Sequence, residues 1–217
     1  MFLSLIISGL FVIVAYLFGS IPTGYLAGRW LQGIDIREHG SGSTGATNVL
    51  RNLGKGAAIA VLLIDMLKGA IAPALVKGFY LFFSTSLVPD SWESWLVVGA
   101  ALGAILGHSK SVFLNFTGGK SVATSLGVLL VMSPLVALGT LGIFGVVLAL
   151  SRIVSLSSLM GAIAVNIFMI FLKPDLAYIS FAIVAAVYVI VRHSSNIGRL
   201  LEGTEPQIGK KLQEEEA

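Results

Sequence analysis

A chain of 217 residues that is 56% hydrophobic and only 12% charged cannot be an ordinary soluble domain, because such domains carry about 25% charged residues. The composition predicts a single-domain integral membrane protein. The formal net charge of +3 is small, so the positions of the charges are more informative than their sum. The chain has no cysteine, which excludes disulfides, cysteine-ligated metals and acyl transfer through a cysteine thioester.

The first predicted membrane span covers residues 2–28, since a hydrocarbon core of about 30 Å needs roughly 20 helical residues. Gly19-Ser20 and Pro22 near its end predict a bend in the helix. No Lys or Arg precedes Arg29. The segment therefore lacks the basic region of a cleaved signal peptide, and we expect it to be retained.

A polar, glycine-rich loop follows over residues 40–48, and hydrophobicity does not explain it. Three glycines free its backbone N–H groups, its hydroxyls add donors, and Arg51 supplies a planar charged group. This combination is typical of an oxyanion site. A flexible Gly/Ser linker is the simpler alternative, but flexibility alone would not require Thr47, Asn48 and Arg51 at the end of the loop.

The second predicted span, residues 56–76, contains Asp65 and Lys68 on one helical face. Ionisable residues inside a membrane are candidates for function, but a neutralised pair is also a structural clasp, which we favour. Residues 78–95 are rich in aromatic side chains. They predict an interfacial belt and a short external loop.

Seven spans are predicted in all. The third covers residues 96–107, and the long apolar run over 121–150 divides at Ser133-Pro134, because proline disfavours helix in the residue before it. The last two cover residues 153–172 and 176–191. A five-span model remains the competitor, but it would bury Arg152 at a cost of about 2.5–3.5 kcal/mol.

The basic residues predict an orientation, because cytoplasmic loops are enriched in Lys and Arg. With seven spans, the N-terminus lies outside and the C-terminus lies in the cytoplasm. Lys77 and Lys173 are then external and Lys68 is buried. All other basic residues are cytoplasmic: Arg29, Arg37, Arg51, Lys55, Lys110, Lys120, Arg152, Arg192, Arg199, Lys210 and Lys211.

A second polar loop, residues 109–120, ends in Gly118-Gly119-Lys120. It is not a P-loop, because the first glycine of that motif would fall at Leu114 and a membrane helix precedes the loop in place of a strand. The two glycines expose N–H groups, and Lys120 precedes the next helix, whose N-terminus favours an anion. The pattern predicts a second phosphate site, with a lysine at the membrane boundary as the alternative.

The last polar segment, residues 192–199, holds His193, Asn196 and Arg199. Such a group can bind an anionic substrate and offers a base with a pKa near neutrality. If the last helix continues through it, Asn196 and Arg199 lie near one stripe with Arg192. No two histidines have i, i+4 spacing, and the nearby carboxylates form no recognisable ligand set, so we expect no metal and no cofactor.

Taken together, several motifs resemble those of the bacterial PlsY-type acyl-phosphate:glycerol-3-phosphate acyltransferases. The resemblance spans nearly the whole chain. It implies a fatty acyl phosphate donor in the membrane, sn-glycerol 3-phosphate as the cytoplasmic acceptor, and lysophosphatidic acid and phosphate as products. The matching motifs are Gly19-Ser20, Asp35-x-Arg37, Gly40-Ser41-Gly42, Gly45-Ala46-Thr47-Asn48-x-x-Arg51, Asp65-x-x-Lys68-Gly69, Gly107-His108, Phe116-x-Gly118-Gly119-Lys120-x-Val122-Ala123-Thr124 and Arg192-His193-x-x-Asn196-Ile197-x-Arg199-Leu200.

Chemistry and resemblance together predict the site residues. The expected catalytic residues are Ser41, Lys120, His193 and Asn196. The expected substrate-binding and phosphate-binding residues are Gly42, Ser43, Thr47, Asn48, Arg51, His108, Gly118, Gly119, Ser155 and Arg199.

The predicted architecture is one polytopic acyltransferase domain over residues 1–205, with a disordered cytoplasmic tail over 206–217. We expect a bacterial cytoplasmic (inner) membrane protein with its site facing the cytoplasm. No nucleic acid and no obligatory protein partner are expected. The alternative is a small transporter or channel for a phosphorylated solute. Against it, no inverted repeat is visible, and the polar groups collect at one face.

Overall fold

The structure is a computed structural model of this chain, and it describes residues 1–83 and 87–209. Within those ranges the chain is all helical, with no strand beyond one isolated bridge, so the predicted all-α fold is confirmed. The helices are α1 Phe2–Ser20, α2 Thr23–Gln32, α3 Ala46–Leu53, α4 Lys55–Phe82, α5 Glu93–Ser109, α6 Val122–Met132, α7 Pro134–Ser151, α8 Val154–Leu172, α9 Leu176–Arg192 and α10 Ser194–Leu201.

Seven apolar helices, α1 and α4 to α9, lie at the seven predicted spans. By length and hydropathy, four helical segments of the described chain can cross a membrane, or five if α9 and the bent α10 form one span. Helix α6 has only 11 residues and is too short to cross a full hydrocarbon core as a straight helix. The fold is that of a multi-helix membrane protein, while the count of seven and the orientation stay predictions.

Most chain breaks lie where the sequence predicts them. Helix α1 ends before Ile21-Pro22, α6 and α7 meet at Ser133, and Arg152 adopts a left-handed conformation (φ 60°) between α7 and α8. The final helix does not continue through residues 192–199. It ends at Arg192, and α10 leaves it at an angle of 61°.

The region over residues 78–95 differs from its prediction. Helix α4 continues to Phe82 and α5 begins at Glu93, so much of the expected aromatic loop is helical. Phe79 stacks on Phe83 and meets Phe11 of α1 edge to face, and these contacts favour extending the helix. Residues 84–86 lie outside the described part of the chain.

Glycines set the closest helix contacts, as expected where lipid offers no hydrophobic drive for packing. A Cβ atom at Gly19 of α1 would collide with the backbone of Ala104 in α5. Likewise, a Cβ at Gly127 of α6 would collide with the Met66 carbonyl in α4, and one at Gly69 with the Thr124 carbonyl. The bundle is therefore tight around α4, α5 and α6.

The predicted intramembrane ion pair is confirmed. Lys68 Nζ lies 2.9 Å from Asp65 Oδ1 and also donates to the Ile21 carbonyl at 2.8 Å, at the end of α1. Asp65 accepts a further hydrogen bond of 2.6 Å from Thr23 of α2. The pair thus joins α4 to the broken first helix, as a clasp would. Lys77 repeats this role, since its Nζ donates to the Val131 carbonyl near the end of α6 at 2.7 Å.

The chain after α10 turns back toward α7. The Ile208 N–H donates to the Arg152 carbonyl at 2.8 Å. The structure describes this segment only to Gly209, and the acidic end Glu214-Glu215-Glu216 lies outside that range. The division into a domain ending at residue 205 and a disordered tail stays a prediction.

Candidate active site

The first polar loop is shaped from inside by Asn48. This side chain is buried, and its Nδ2 donates to the carbonyls of Ile36, His39 and Ser43 at 2.9–3.0 Å, while its Oδ1 accepts the Ser41 N–H at 3.0 Å. These bonds use the donors of the amide. Asn48, predicted to bind phosphate, borders the cavity described below but is engaged in holding the loop.

The Gly118-Gly119-Lys120 loop is held between two side chains. The Arg192 guanidinium donates to the carbonyls of Gly118 and Gly119 at 3.2 and 3.1 Å. On the other side the Gly119 N–H donates to the His108 carbonyl at 3.2 Å, and a Cβ at Gly119 would collide with the His108 imidazole. A larger residue at position 119 would have to displace the His108 ring, so the loop packs closely against α5.

Lys120 projects from this loop into a cluster of charges. Its Nζ donates to Asn196 Oδ1. Burial, together with the nearby charges of Arg199, Arg51 and Arg192, lowers the pKa of Lys120 to about 8 against the opposing effect of Glu205. A site that disfavours its own positive charge in this way is suited to an anionic ligand.

Glu205 links predicted site residues of two helices, α8 and α10. Its Oε1 accepts hydrogen bonds from Ser155 Oγ at 2.7 Å and Asn196 Nδ2 at 2.6 Å, and its Oε2 lies 2.7 Å from Arg199 Nε. Burial alone would raise the pKa of Glu205, but these hydrogen bonds and the charge of Arg199 lower it below its usual value. The ionised carboxylate therefore holds α8, α10 and the segment that follows α10 together.

His193 is buried at the break between α9 and α10. Its Nδ1 lies 2.7 Å from the Val189 carbonyl, which can only accept, so in the neutral ring Nδ1 carries the proton and Nε2 is the acceptor. His193 lines the cavity beside Asn196. This tautomer is the one that can accept a proton or a hydrogen bond from a hydroxyl.

These groups surround the polar end of a cavity of about 780 Å³ that extends between the membrane helices. Its other end is apolar and is formed by side chains of α4 and α6 to α9. Its polar lining includes Ser41, Ser43, Thr47, Asn48, Arg51, Asp65, His108, Lys120, Ser155, His193, Asn196 and Glu205. A smaller cavity of about 240 Å³ adjoins it and is lined by Ser41, Gly42, Ser43, Gly118, Lys120, Val191, Arg192, Ser194 and Ser195.

The structure thus brings most of the predicted residues together. Gly42 and Gly118 line only the smaller cavity, and Gly119 and Arg199 line neither. The Gly119 carbonyl instead accepts a hydrogen bond from Arg192, and Arg199 donates one to Glu205. His108 lines the large cavity, but its Nδ1 points toward Asp65, 3.4 Å away. In the described ranges, no three His, Asp or Glu side chains lie close enough to hold a metal ion.

A family model described as glycerol-3-phosphate acyltransferase matches residues 9–203. The chain belongs to this family. A glycerol-3-phosphate acyltransferase of Rippkaea orientalis is 66% identical to this family member over 209 residues, which are 96% of each chain. One from Nostoc is 62% identical over 210 residues, covering 94% of this chain and 93% of the relative.

Two solved structures are similar to this acyltransferase-family chain. Both are crystal structures of PlsY (YgiH), an integral membrane glycerol 3-phosphate acyltransferase, in its glycerol 3-phosphate form and its lysophosphatidic acid form. Each is 37% identical and covers 93% of this chain, with TM-scores of 0.84 and 0.81 and coverage of 96% and 95% of the solved chains. The all-helical membrane fold predicted from the sequence is therefore confirmed at the level of the family.

Glu205 and Arg192, whose hydrogen bonds hold other site residues in place, escaped the sequence analysis as site residues. Glu205 is a lone carboxylate without a partner at a diagnostic spacing, and Arg192 belongs to a matching motif but looks like an ordinary membrane-boundary cation. One signal was present for Glu205. It is an acidic residue that follows a segment of Arg and Asn side chains, and a cluster of like charges near an anion site calls for a counter-ion.

Proposed function

We propose that this protein transfers a fatty acyl group from a membrane-embedded acyl phosphate to the 1-hydroxyl of sn-glycerol 3-phosphate, as a step of phospholipid biosynthesis. The products are lysophosphatidic acid and inorganic phosphate. One observation carries the proposal: a single cavity joins a cationic end, with Arg51 and Lys120, to an apolar end between membrane helices. The family and the substrate-named forms of PlsY support it.

The cavity suits both parts of such a donor. Its apolar end accommodates the acyl tail, while the carbonyl and phosphate reach the polar end, where Lys120 and Arg51 neutralise charge. Glycerol 3-phosphate enters from the loop side, and the adjoining cavity beside Arg192 and Ser194 offers donors for a second phosphate. The proposal places both phosphates around Ser41, Ser43 and Lys120, the residues common to the two cavities.

The reaction needs no covalent enzyme intermediate. The acceptor hydroxyl oxygen attacks the acyl carbonyl carbon, a carbon–oxygen ester bond forms, and the bond from that carbon to the phosphate oxygen breaks, with its electrons leaving on phosphate. The developing oxyanion requires nearby donors. Ala46 and Thr47 line the cavity at the start of α3, where helix N–H groups are free to donate.

The proton of the hydroxyl has two possible acceptors. His193 Nε2 is one and a phosphate oxygen of the substrate is the other. Acyl phosphate is already activated, since phosphate is a good leaving group, so positioning and oxyanion stabilisation contribute most of the catalysis. We infer that the proton goes to a substrate phosphate oxygen and that His193 and Asn196 orient the acceptor.

The decisive experiment is a phosphate-release assay on the purified protein in lipid. We expect release of phosphate from acyl phosphate only when glycerol 3-phosphate is present, with one lysophosphatidic acid formed per phosphate. Lys120→Met is the inactive control. Uptake of glycerol 3-phosphate into proteoliposomes without turnover would instead support the transporter alternative, which family membership disfavours.

A further inference from the structure

The apolar end of the large cavity is lined by buried side chains, among them Phe181, Leu129 and Val165. Each surrounding helix contributes one lining residue that lies farthest from the loop end of the cavity. These residues lie at similar distances from that end. Phe181 of α9 is twelve residues before His193, which follows that helix, and Val165 is ten residues after Ser155 on α8. At 1.5 Å per helical residue these separations correspond to about 18 and 15 Å. The floor residues are Met66, Leu129, Thr140, Val165 and Phe181.

Residue size changes sharply along the cavity. Between the polar end and the floor, α8 and α9 present small side chains: Ser158, Gly161, Ala162, Ala185 and Ala186. At the floor, Phe181 is 1% exposed, and Leu129 and Val165 are buried beside it. Large buried side chains therefore block the path that the small ones leave open.

The side of the cavity is less closed than its floor. Ile59 and Leu62 on α4 and Leu141 on α7 line it and are themselves 40–57% exposed. In a bilayer these three side chains face lipid tails. A tail that is too long for the closed part must bend toward this side.

We propose that Phe181 limits the length of the acyl chain that this site accepts, as a specificity-determining residue of the transfer. An extended chain advances about 1.2 Å per bond, so a depth of about 18 Å holds roughly 14 carbons. Shorter tails fit straight against Ala185 and Ala186. Longer tails meet the ring of Phe181 and bend past Leu62. This inference rests on the proposed function, because it assumes that the cavity holds the acyl tail.

The test is a competition between donors. The full chain in lipid receives decanoyl, tetradecanoyl and octadecanoyl phosphate at equal concentrations with glycerol 3-phosphate, and the three lysophosphatidic acids are quantified. Phe181→Ala opens the floor on the α9 side, and we expect it to raise the 18-carbon to 10-carbon product ratio roughly threefold or more, because a long tail no longer meets the ring. Phe171→Ala is the matched control, because Phe171 lies on α8 with 78% exposure and does not line the cavity.

A second variant acts in the opposite direction. Ala185→Leu fills the cavity eight residues from His193, and we expect it to lower the 14-carbon to 10-carbon ratio by a similar factor. If Phe181→Ala fails to fold or turns over no donor, this variant decides alone. Unchanged ratios in the variants that remain active would overturn the proposal. A wild-type protein that releases phosphate from none of the donors would instead refute the proposed function.

Discussion

The Glu205 carboxylate accepts a hydrogen bond from the Asn196 amide nitrogen at 2.6 Å, and this contact fixes the direction of the amide. Because a carboxylate only accepts, Asn196 must turn its nitrogen toward Glu205 and its oxygen toward Lys120. The Lys120 ammonium, which only donates, meets that oxygen. Glu205 therefore positions Lys120 through Asn196.

Replacing Glu205 with Gln should reduce both stability and activity. The amide can no longer accept equally from Ser155, Asn196 and Arg199, and lost hydrogen bonds to a charged group cost roughly 1.5–3 kcal/mol each. We expect a lower unfolding temperature in lipid and at least a tenfold loss of kcat/KM. Glu202→Gln is the matched control, since no side-chain bond of Glu202 is seen in the described chain. Equal behaviour of the two variants would contradict the positioning role.

The pH dependence of acceptor use should report Lys120. Its ammonium is the charged form and is present below its pKa of about 8, so binding of phosphate weakens as the pH rises through that value. We expect kcat/KM to fall above pH 8 while kcat changes less, because bound phosphate stabilises the ammonium. Phosphate esters lose their last proton near pH 6 and do not titrate in this range.

Two variants identify the group whose titration causes this fall in kcat/KM above pH 8, the alkaline limb of the pH profile. Glu205 raises the pKa of Lys120, so Glu205→Gln should move the limb to lower pH. In Lys120→Arg the guanidinium stays charged to far higher pH, and the limb should disappear whatever the residual rate. An unchanged limb in Lys120→Arg would assign the titration to another group.

Changing either of the two proposed phosphate-binding cations, Lys120 or Arg51, should impair transfer and leave the fold intact. Lys120→Met keeps the apolar stem, and we expect it to lose activity roughly 100-fold or more, because a charge aimed at the developing negative charge is lost. Arg51→Lys should also be harmful, since an ammonium cannot grip two phosphate oxygens in one plane. Lys110→Met, at an exposed position, serves as the control. Full activity of both site variants would refute the phosphate assignment.

His193→Gln separates orientation from base catalysis. If His193 only orients glycerol 3-phosphate, the variant raises the acceptor KM with little change in kcat. An obligatory base would instead cost roughly 10²–10⁴-fold in kcat at unchanged KM. Steady-state kinetics at saturating donor distinguish the two, and the second pattern would refute proton transfer to the substrate phosphate.

Cysteine labelling tests the orientation, and the natural chain contributes no background because it lacks cysteine. With seven spans, Ser151 lies in the cytoplasm and Pro174 outside. A membrane-impermeant thiol reagent applied to intact cells should therefore label Pro174→Cys and leave Ser151→Cys unlabelled. The reverse pattern would invert the topology.

The sequence predicts those parts of this molecule whose signals are local. Composition indicates the membrane class, and Ser133-Pro134 marks a helix break because proline restricts its neighbour. The ion pair of Asp65 and Lys68 follows from their spacing on one helical turn. The polar loops are also recognisable, since glycines and hydroxyls close together are unusual between apolar spans.

Features that depend on distant partners are not predictable in this way. Asn48 has the composition of a ligand, but its burial and its three carbonyl partners make it a loop scaffold. The 61° bend at His193 changes which side chains of α10 meet the cavity. Glu205 acquires its role only because the chain returns to Ser155, fifty residues earlier.

Lys68 and Lys77 of α4 each donate to a backbone carbonyl near the end of another helix, and these two carbonyls are synthesised at different times. The ribosome has already made the Ile21 carbonyl when Lys68 enters the membrane, so α1 and α4 can satisfy that charge during synthesis. The Val131 carbonyl is 54 residues beyond Lys77, and until it is made this ammonium must stay near the interface or bear an insertion cost of about 2.5–3.5 kcal/mol. The contact between Lys77 and α6 can therefore form only after α6 has been made.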